Sequence, residues 1–274
     1  MRRGMLFLLI GGLALVGCAV PDTSLPGDGA SEELSASQKR AVQAVLDAVA
    51  GIGRAAAGVA PVAKVPAIVS GDIEAFACMD LASQATTTVL DLQLEFGGAC
   101  DPSSFIAGFA SGSISGSVNG DTGAVALSFT DFTVAGETTD GTWSGSSSLS
   151  NGVASFSAEL NLVLSVGEGV LDGSVDIEVN EETGLTRITG GSVIIVGTDF
   201  DPVVIEFDNA EIDFVTNGVF NPQSGGVTFT LQGDNVADSE KFTVSFSSQT
   251  PTDDIVTVQA SDGSSFEYTV TDAG

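Results

Sequence analysis

The chain has 274 residues, with 36 Asp and Glu against 8 Lys and Arg, a formal net charge of −28, and no histidine. That charge repels nucleic acid and anionic membrane surfaces. The missing histidine removes Ser-His-Asp and Cys-His nucleophile systems and histidine metal centres.

Met1-Arg2-Arg3 is a short basic start, and Met5 to Val16 is an apolar run too short for a permanent membrane span. It ends in Leu15-Val16-Gly17-Cys18, which resembles the bacterial lipobox. The resemblance implies diacylglycerol transfer to the Cys18 sulfur, cleavage before it and acylation of the new amino terminus. Ala19 rather than an acid follows Cys18, which by the same resemblance implies the outer membrane. The division that follows is a signal peptide over 1–17, a lipidated cysteine with a flexible tether over 18–34, and one domain over 35–274. The tether is rich in Pro, Gly, Asp and Ser and lacks periodicity.

Ser35 or Ser37 is placed to cap a helix in which Ala41, Val42, Val45, Leu46, Val49 and Ile52 recur at helical spacing. Lys39, Arg40, Gln43 and Asp47 fall on other faces. Gly51 and Gly53 weaken the helix, and it ends near Gly58-Val59-Ala60-Pro61. Such a stripe packs on a sheet. A sharper alternative is a membrane-surface helix with its basic face on anionic head groups. Val62 to Ala82 follows neither period, and a short strand and a helical turn both stay open.

Leu90, Leu92, Leu94 and Phe96 alternate with Asp91, Gln93 and Glu95, the period of a half-buried strand. Gly112 to Val118 reads as a second strand, and Asn119-Gly120-Asp121-Thr122-Gly123 as a hairpin turn in which Asn-Gly and Asp-x-Gly supply positive φ. Val125, Leu127 and Phe129 resume the alternation, which slips to Phe132 and Val134. That slip predicts a β-bulge near Thr130-Asp131.

Several of these segments, Leu94-Glu95-Phe96-Gly97-Gly98-Ala99-Cys100, Ser111-Gly112-Ser113-Ile114, Phe129-Thr130-Asp131-Phe132-Thr133-Val134 and Gly141-Thr142-Trp143-Ser144-Gly145, together resemble a group of uncharacterised bacterial secreted lipoproteins. The likeness spans about a quarter of the chain and carries over no functional residues, because the group has no assigned activity.

Beyond the lipobox only Cys78 and Cys100 remain. Outside the inner membrane, an even pair points to a disulfide closing a loop of roughly 20 residues, about 3 kcal/mol in the chain-entropy account. A redox or metal pair lacks the Cys-x-x-Cys spacing and a histidine.

After Val134 the pattern continues. Leu160, Leu162 and Leu164, then Val175, Ile177 and Val179, alternate with polar residues, and Asn180-Glu181-Glu182-Thr183-Gly184 is a turn. Ile205, Phe207, Ala210, Ile212 and Phe214 alternate with Glu206, Asp208, Glu211 and Asp213, with a slip at Asn209. Turn signals fall roughly every ten to fifteen residues, as an all-β meander requires. The class is mainly β: a curved antiparallel meander, half-barrel or barrel-like, with one N-terminal amphipathic helix packed on it. The apolar face is to be buried by a sandwich fold, by closure into a barrel, or by wrapping the helix. An integral membrane barrel calls for aromatic girdles, and this chain has 1 Trp and 1 Tyr.

Past Lys64 only Arg187 and Lys241 are positive. The acid excess serves solubility, and a sharper reading is calcium, with Asp199, Asp201, Asp234, Asp238 and Glu240 as weak candidates that match no EF-hand. Glu206, Asp208, Glu211 and Asp213 read as a solvated strand face. Gly190-Gly191 and Gly225-Gly226 lack a following Lys-Ser/Thr and read as turns, not phosphate cradles. Carboxylates are too abundant for any pair to point to glycoside hydrolysis. The expectation is an envelope lipoprotein without catalysis or cofactor, anchored to a membrane by its lipid and facing either the periplasm or the surface. It acts as a structural or interaction module. The alternative is a carrier that holds lipid or another hydrophobic ligand inside the curved sheet.

Overall fold

The structure is a computed structural model that describes residues 33–72, 79–83, 88–97, 106–165, 169–197, 200–231 and 240–269. It opens with helix α1 (Ala36–Val59), a 3₁₀ turn (Ala60–Lys64) and helix α2 (Val65–Ser70). Strands follow: β1 (Met79–Ser83), β2 (Val89–Phe96), β3 (Ala110–Asn119), β4 (Ala124–Val134), β5 (Glu137–Ser150), β6 (Val153–Leu164) and β7 (Gly169–Asn180). Then come β8 (Leu185–Val196), β9 (Val203–Asp213), the short helix α3 (Phe214–Asn217), β10 (Pro222–Leu231) and β11 (Glu240–Ser245). The short helix α4 (Thr250–Asp253), β12 (Ile255–Ala260) and β13 (Ser265–Thr269) complete the order. All 13 strands form one antiparallel sheet in chain order, curved and not closed. The fold is the mainly β meander with an N-terminal helix that the alternation predicts.

Ser35 caps α1 with a capping box: its Oγ accepts from Gln38 N–H at 3.3 Å, and Gln38 Oε1 accepts from Ser35 N–H at 2.8 Å. The helix runs through Gly51 and Gly53 without a break, against the expected weakening. Tertiary packing outweighs the propensity cost of about 1 kcal/mol per glycine. The glycines mark close approach instead. A Cβ on Gly58 would stand 2.5 Å from Phe132 Cζ and 2.9 Å from Ile114 Cδ1, so only glycine lets the helix settle onto β3 and β4. From Ala44 to Ala63 every residue of the helical segment is buried. The run Ala36–Ser70 is long and apolar enough to cross a membrane by length and composition, and its most apolar window is wholly buried inside the protein. The helix is therefore a core element, which overturns its reading as a membrane-surface helix. The described part of the stretch from Val62 to Ala82 holds the end of the 3₁₀ turn, α2 and the start of β1.

Both predicted phase slips are bulges. Asp131 takes φ 49° between Phe129 and Phe132, where the β4–β5 register shifts. Asn209 takes φ 54° opposite the shift at Ser224 and Gly226. Across from Asp131, Gly112 has φ 90°, and a Cβ there would meet the Asp131 carbonyl oxygen at 2.1 Å. Gly190-Gly191 and Gly225-Gly226 lie within β8 and β10, not in turns, each beside a register irregularity. They serve the bending of the sheet.

The Asn119–Gly123 turn has its positive φ at Gly123 (70°), not at Gly120. Asn119 Oδ1 accepts from Asp121 N–H at 3.0 Å and Thr122 N–H at 2.9 Å. Asn180 does the same for Glu182 and Thr183, both at 3.0 Å, and Gly184 closes that turn at φ 74°. The shared Asn-x-Asp/Glu-Thr-Gly pattern is thus an Asx turn used twice.

Inside the sheet the aromatic rings form a continuous file: Phe96 on Phe132 (4.9 Å), Phe132 on Phe129 (5.6 Å), Phe129 on Trp143 (6.5 Å) and Trp143 on Phe156 (5.6 Å). Phe229 stacks on Phe242 at 5.1 Å. These rings and α1 occupy the space the curved sheet encloses.

Candidate functional site

The most unusual chemistry lies on one face of α1. Asp47, Gly51, Arg54 and Gly58 recur every three or four residues and so share that face. A Cβ on Gly51 would stand 2.7 Å from Leu164 of β6. Leu164 is the cross-strand partner of Thr139 on β5, and Glu137 lies two residues earlier on the same face of β5. The packing of Gly51 on Leu164 thereby brings Asp47 and Arg54 toward Glu137 and Thr139.

Arg54 is 5% exposed and Asp47 8%. Burial pushes the Asp47 carboxyl up to about 6; the hydrogen bond from Gln43 Nε2 (2.9 Å) and the Arg54 charge oppose this, and Glu137 adds to it. Burial likewise pulls the Arg54 guanidinium below its usual value, with Glu137 and Asp47 pulling it back. Arg54 Nε and Nη2 and Thr139 Oγ1 find no hydrogen-bond partner, and the Arg54 Cζ lies 6.0 Å from the centre of the Phe220 ring. Tyr268 of β13 donates to Gln43 Oε1 at 3.3 Å, linking this polar row to the last strand. A near-neutral buried carboxyl beside a guanidinium is chemistry that general acids use. Here both groups are buried between the helix and the sheet.

Reading the helix as one apolar stripe with Asp47 on an outer face misses this cluster. The usable signal is that Ala41–Val59 is Ala, Gly, Val, Ile or Leu at every position except Gln43, Asp47 and Arg54. A helix apolar nearly all round is buried all round, and its few polar residues go inside with it.

The predicted site residues are otherwise scattered or outside the described residues. Cys18, Cys78, Cys100, Asp199, Asp234 and Asp238 lie outside them. Asp201 is exposed, and Glu240 Oε2 accepts from Gln38 Nε2 at 2.9 Å. Among the described residues no group of three or more Cys, Asp or Glu side chains converges as a metal site would require. The acids of β9 share the outer face, because the extra residue at Asn209 keeps Ala210 and Ile212 buried with Ile205 and Phe207; Glu206 and Asp208 are exposed, Glu211 and Asp213 half-buried. Glu206 pairs with Lys241 at 3.5 Å, while Asp213 Oδ1 caps α3 by accepting from Thr216 N–H at 2.9 Å. Burial opposes the charge of Glu211, but hydrogen bonds from Arg187 Nη2 (2.6 Å) and Gln223 Nε2 (3.0 Å) outweigh it and lower its pKa.

On the outer face, a shallow groove of about 400 Å³ crosses β5, β6 and β7, lined by Ser146, Ser148, Ser155, Ser157, Asp176 and Glu178 among others. It is a small-residue depression in a polar sheet. No protein-family model matches the chain, and no curated protein or solved structure does either.

Proposed function

We propose that this protein is an envelope lipoprotein of the outer membrane, anchored through Cys18, whose domain is a structural or interaction module and not an enzyme or a carrier. The observation that carries the reading is the filled interior: α1 and the file from Phe96 to Phe156 take up the space in which a carrier would hold its ligand. What remains for partners is the outer surface, acidic and serine-rich, on a sheet whose curvature the buried helix holds rigid. Nucleic acid is not among those partners, given the net charge of −28. The resemblance to secreted bacterial lipoproteins and the Cys78–Cys100 disulfide belong to the same reading.

Native mass spectrometry of the chain purified gently from a bacterial envelope tests it. A mass equal to the polypeptide from Cys18 plus covalent acyl groups, less two hydrogens for the disulfide, is the expected result. A further mass that denaturation releases as lipid would replace the module by the carrier. A chain that keeps residues 1–17, or lacks acyl groups, would remove the anchor.

A further inference from the structure

The outer face of the sheet breaks its polar pattern at one place. Val163 on β6, Val170 on β7 and Val196 on β8 are 47%, 42% and 45% exposed, and each is the direct cross-strand partner of the next. Ile194 and Val204, paired with each other and half-buried on the same face, extend the row. Single exposed aliphatic residues are ordinary, but a contiguous set on a strongly acidic sheet requires a reason.

Its position supplies one. Val163 is next to last in β6, Val170 second in β7 and Val196 last in β8, so they form one rim of the sheet. The start of α1 lies at that same rim. Gln38 bonds Glu240, the first residue of β11, whose partner is Leu231, then Val203, then Ile195 beside Val196. The first described residues, from Glu33 to Gln38, thus belong to the rim that carries the valines. The roughly 15 residues from Cys18 to Glu33 reach about 50–55 Å at full extension, so an acylated Cys18 holds the domain near the bilayer at all times.

We infer that the Val163–Val170–Val196 row is a docking surface for a lipid bilayer, used once the acyl anchor has brought the domain there. The inference rests on the lipoprotein reading. The patch holds β-branched side chains, and among the described residues Asp140 pairs across from Val163 and Asp172 lies two residues along β7 from Val170, so it suits a zwitterionic surface and not an anionic one. Of the other exposed large apolar residues, Val69, Val215, Val219 and Ile255 belong to the opposite rim and occur in helices, turns or at a strand end, while Phe109, 61% exposed just before β3, packs edge-on against Phe214 at 5.7 Å.

The only tryptophan, Trp143, is fully buried and serves as a constant background. The test uses the full chain, acylated in a bacterium and checked by mass, on phosphatidylcholine vesicles with brominated acyl chains. Three variants, Val170→Trp, Val215→Trp and Glu182→Trp, each add one exposed reporter. Quenching of V170W at least about two-fold above E182W and V215W is the expected result. Equal quenching, with the protein still bound to vesicles, overturns the docking surface and leaves the anchor standing. Stronger quenching of V215W places the opposite rim on the bilayer and also overturns it. A chain without acyl groups that fails to sediment with the vesicles overturns the lipoprotein reading and the docking with it.

Discussion

Asp47 is the residue whose environment differs most from what its type prefers. Its folded pKa of about 6 exceeds its ordinary 3.8, so the native state binds the proton more tightly than the unfolded chain. The resulting stability is complete below about pH 4, falls as pH rises toward 6, and is gone above that, a loss of at most roughly 3 kcal/mol. Asp47→Asn keeps the Oδ1 acceptor for Gln43 and removes the titration. Urea unfolding at pH 4.5 and 7.5 is expected to show the variant gaining on the parent at the higher pH, with the parent's decline flattened. Gly58 presents the opposite problem, a site where nothing fits. Gly58→Ala would force its Cβ to 2.5 Å from a ring atom of fully buried Phe132. A loss of about 1–3 kcal/mol in the same assay is expected, as for other overpacked cores.

Among the elements, β4 and β9 owe their shape to single residues held at positive φ opposite a glycine. At the first bulge, Gly112→Ala would place a methyl 2.1 Å from a backbone oxygen and at φ 90°. The strands then have to separate or the bulge has to migrate, and either costs more than about 2 kcal/mol. Thermal unfolding of G112A is expected to show a clear drop in midpoint. Amide exchange is expected to rise first in β3 and β4, not in β10. The helix α1 shows the limit of local reasoning about elements. Its two central glycines lower its propensity, yet it is continuous because burial from Ala44 to Val59 outweighs that cost.

At the scale of the whole molecule, the chain carries a formal charge of −28, with 8 Lys and Arg against 36 Asp and Glu. Among the described ion pairs, only Lys64–Glu181 at 2.9 Å and Arg187–Glu211 at 2.6 Å are close and partly shielded. Exposed pairs such as Lys39–Glu33 contribute at most about 1 kcal/mol. Self-repulsion therefore dominates the surface electrostatics, and screening relieves it. The urea midpoint is expected to rise steadily between low salt and about 0.5 M NaCl at pH 7.5, where a chain near neutrality would change little. A midpoint indifferent to salt would mean that the acids are spaced widely enough not to interact.

Period-two alternation was legible along nearly the whole chain because a sheet with one buried face writes its burial into every second residue. The bulges at Asp131 and Asn209 were legible for the same reason, as breaks in that phase, and local chemistry narrowed the helix cap to Ser35 or Ser37, of which the structure selects Ser35. The Asx form of the turns at Asn119 and Asn180 lay in the same residues, though the positive φ falls on the closing glycine. What the alternation leaves open is what covers the apolar face, since a sandwich, a closed barrel and a wrapped helix require the same pattern. Tertiary structure decided that: the sheet curves without closing, and α1 with the Phe96–Phe156 file fills it. The convergence of Asp47, Arg54, Glu137 and Thr139 and the valine rim were settled at that level too. The first depends on which residues meet across elements far apart in sequence, the second on the register in which the consecutive strands β6, β7 and β8 pair, and neither leaves a period in the chain.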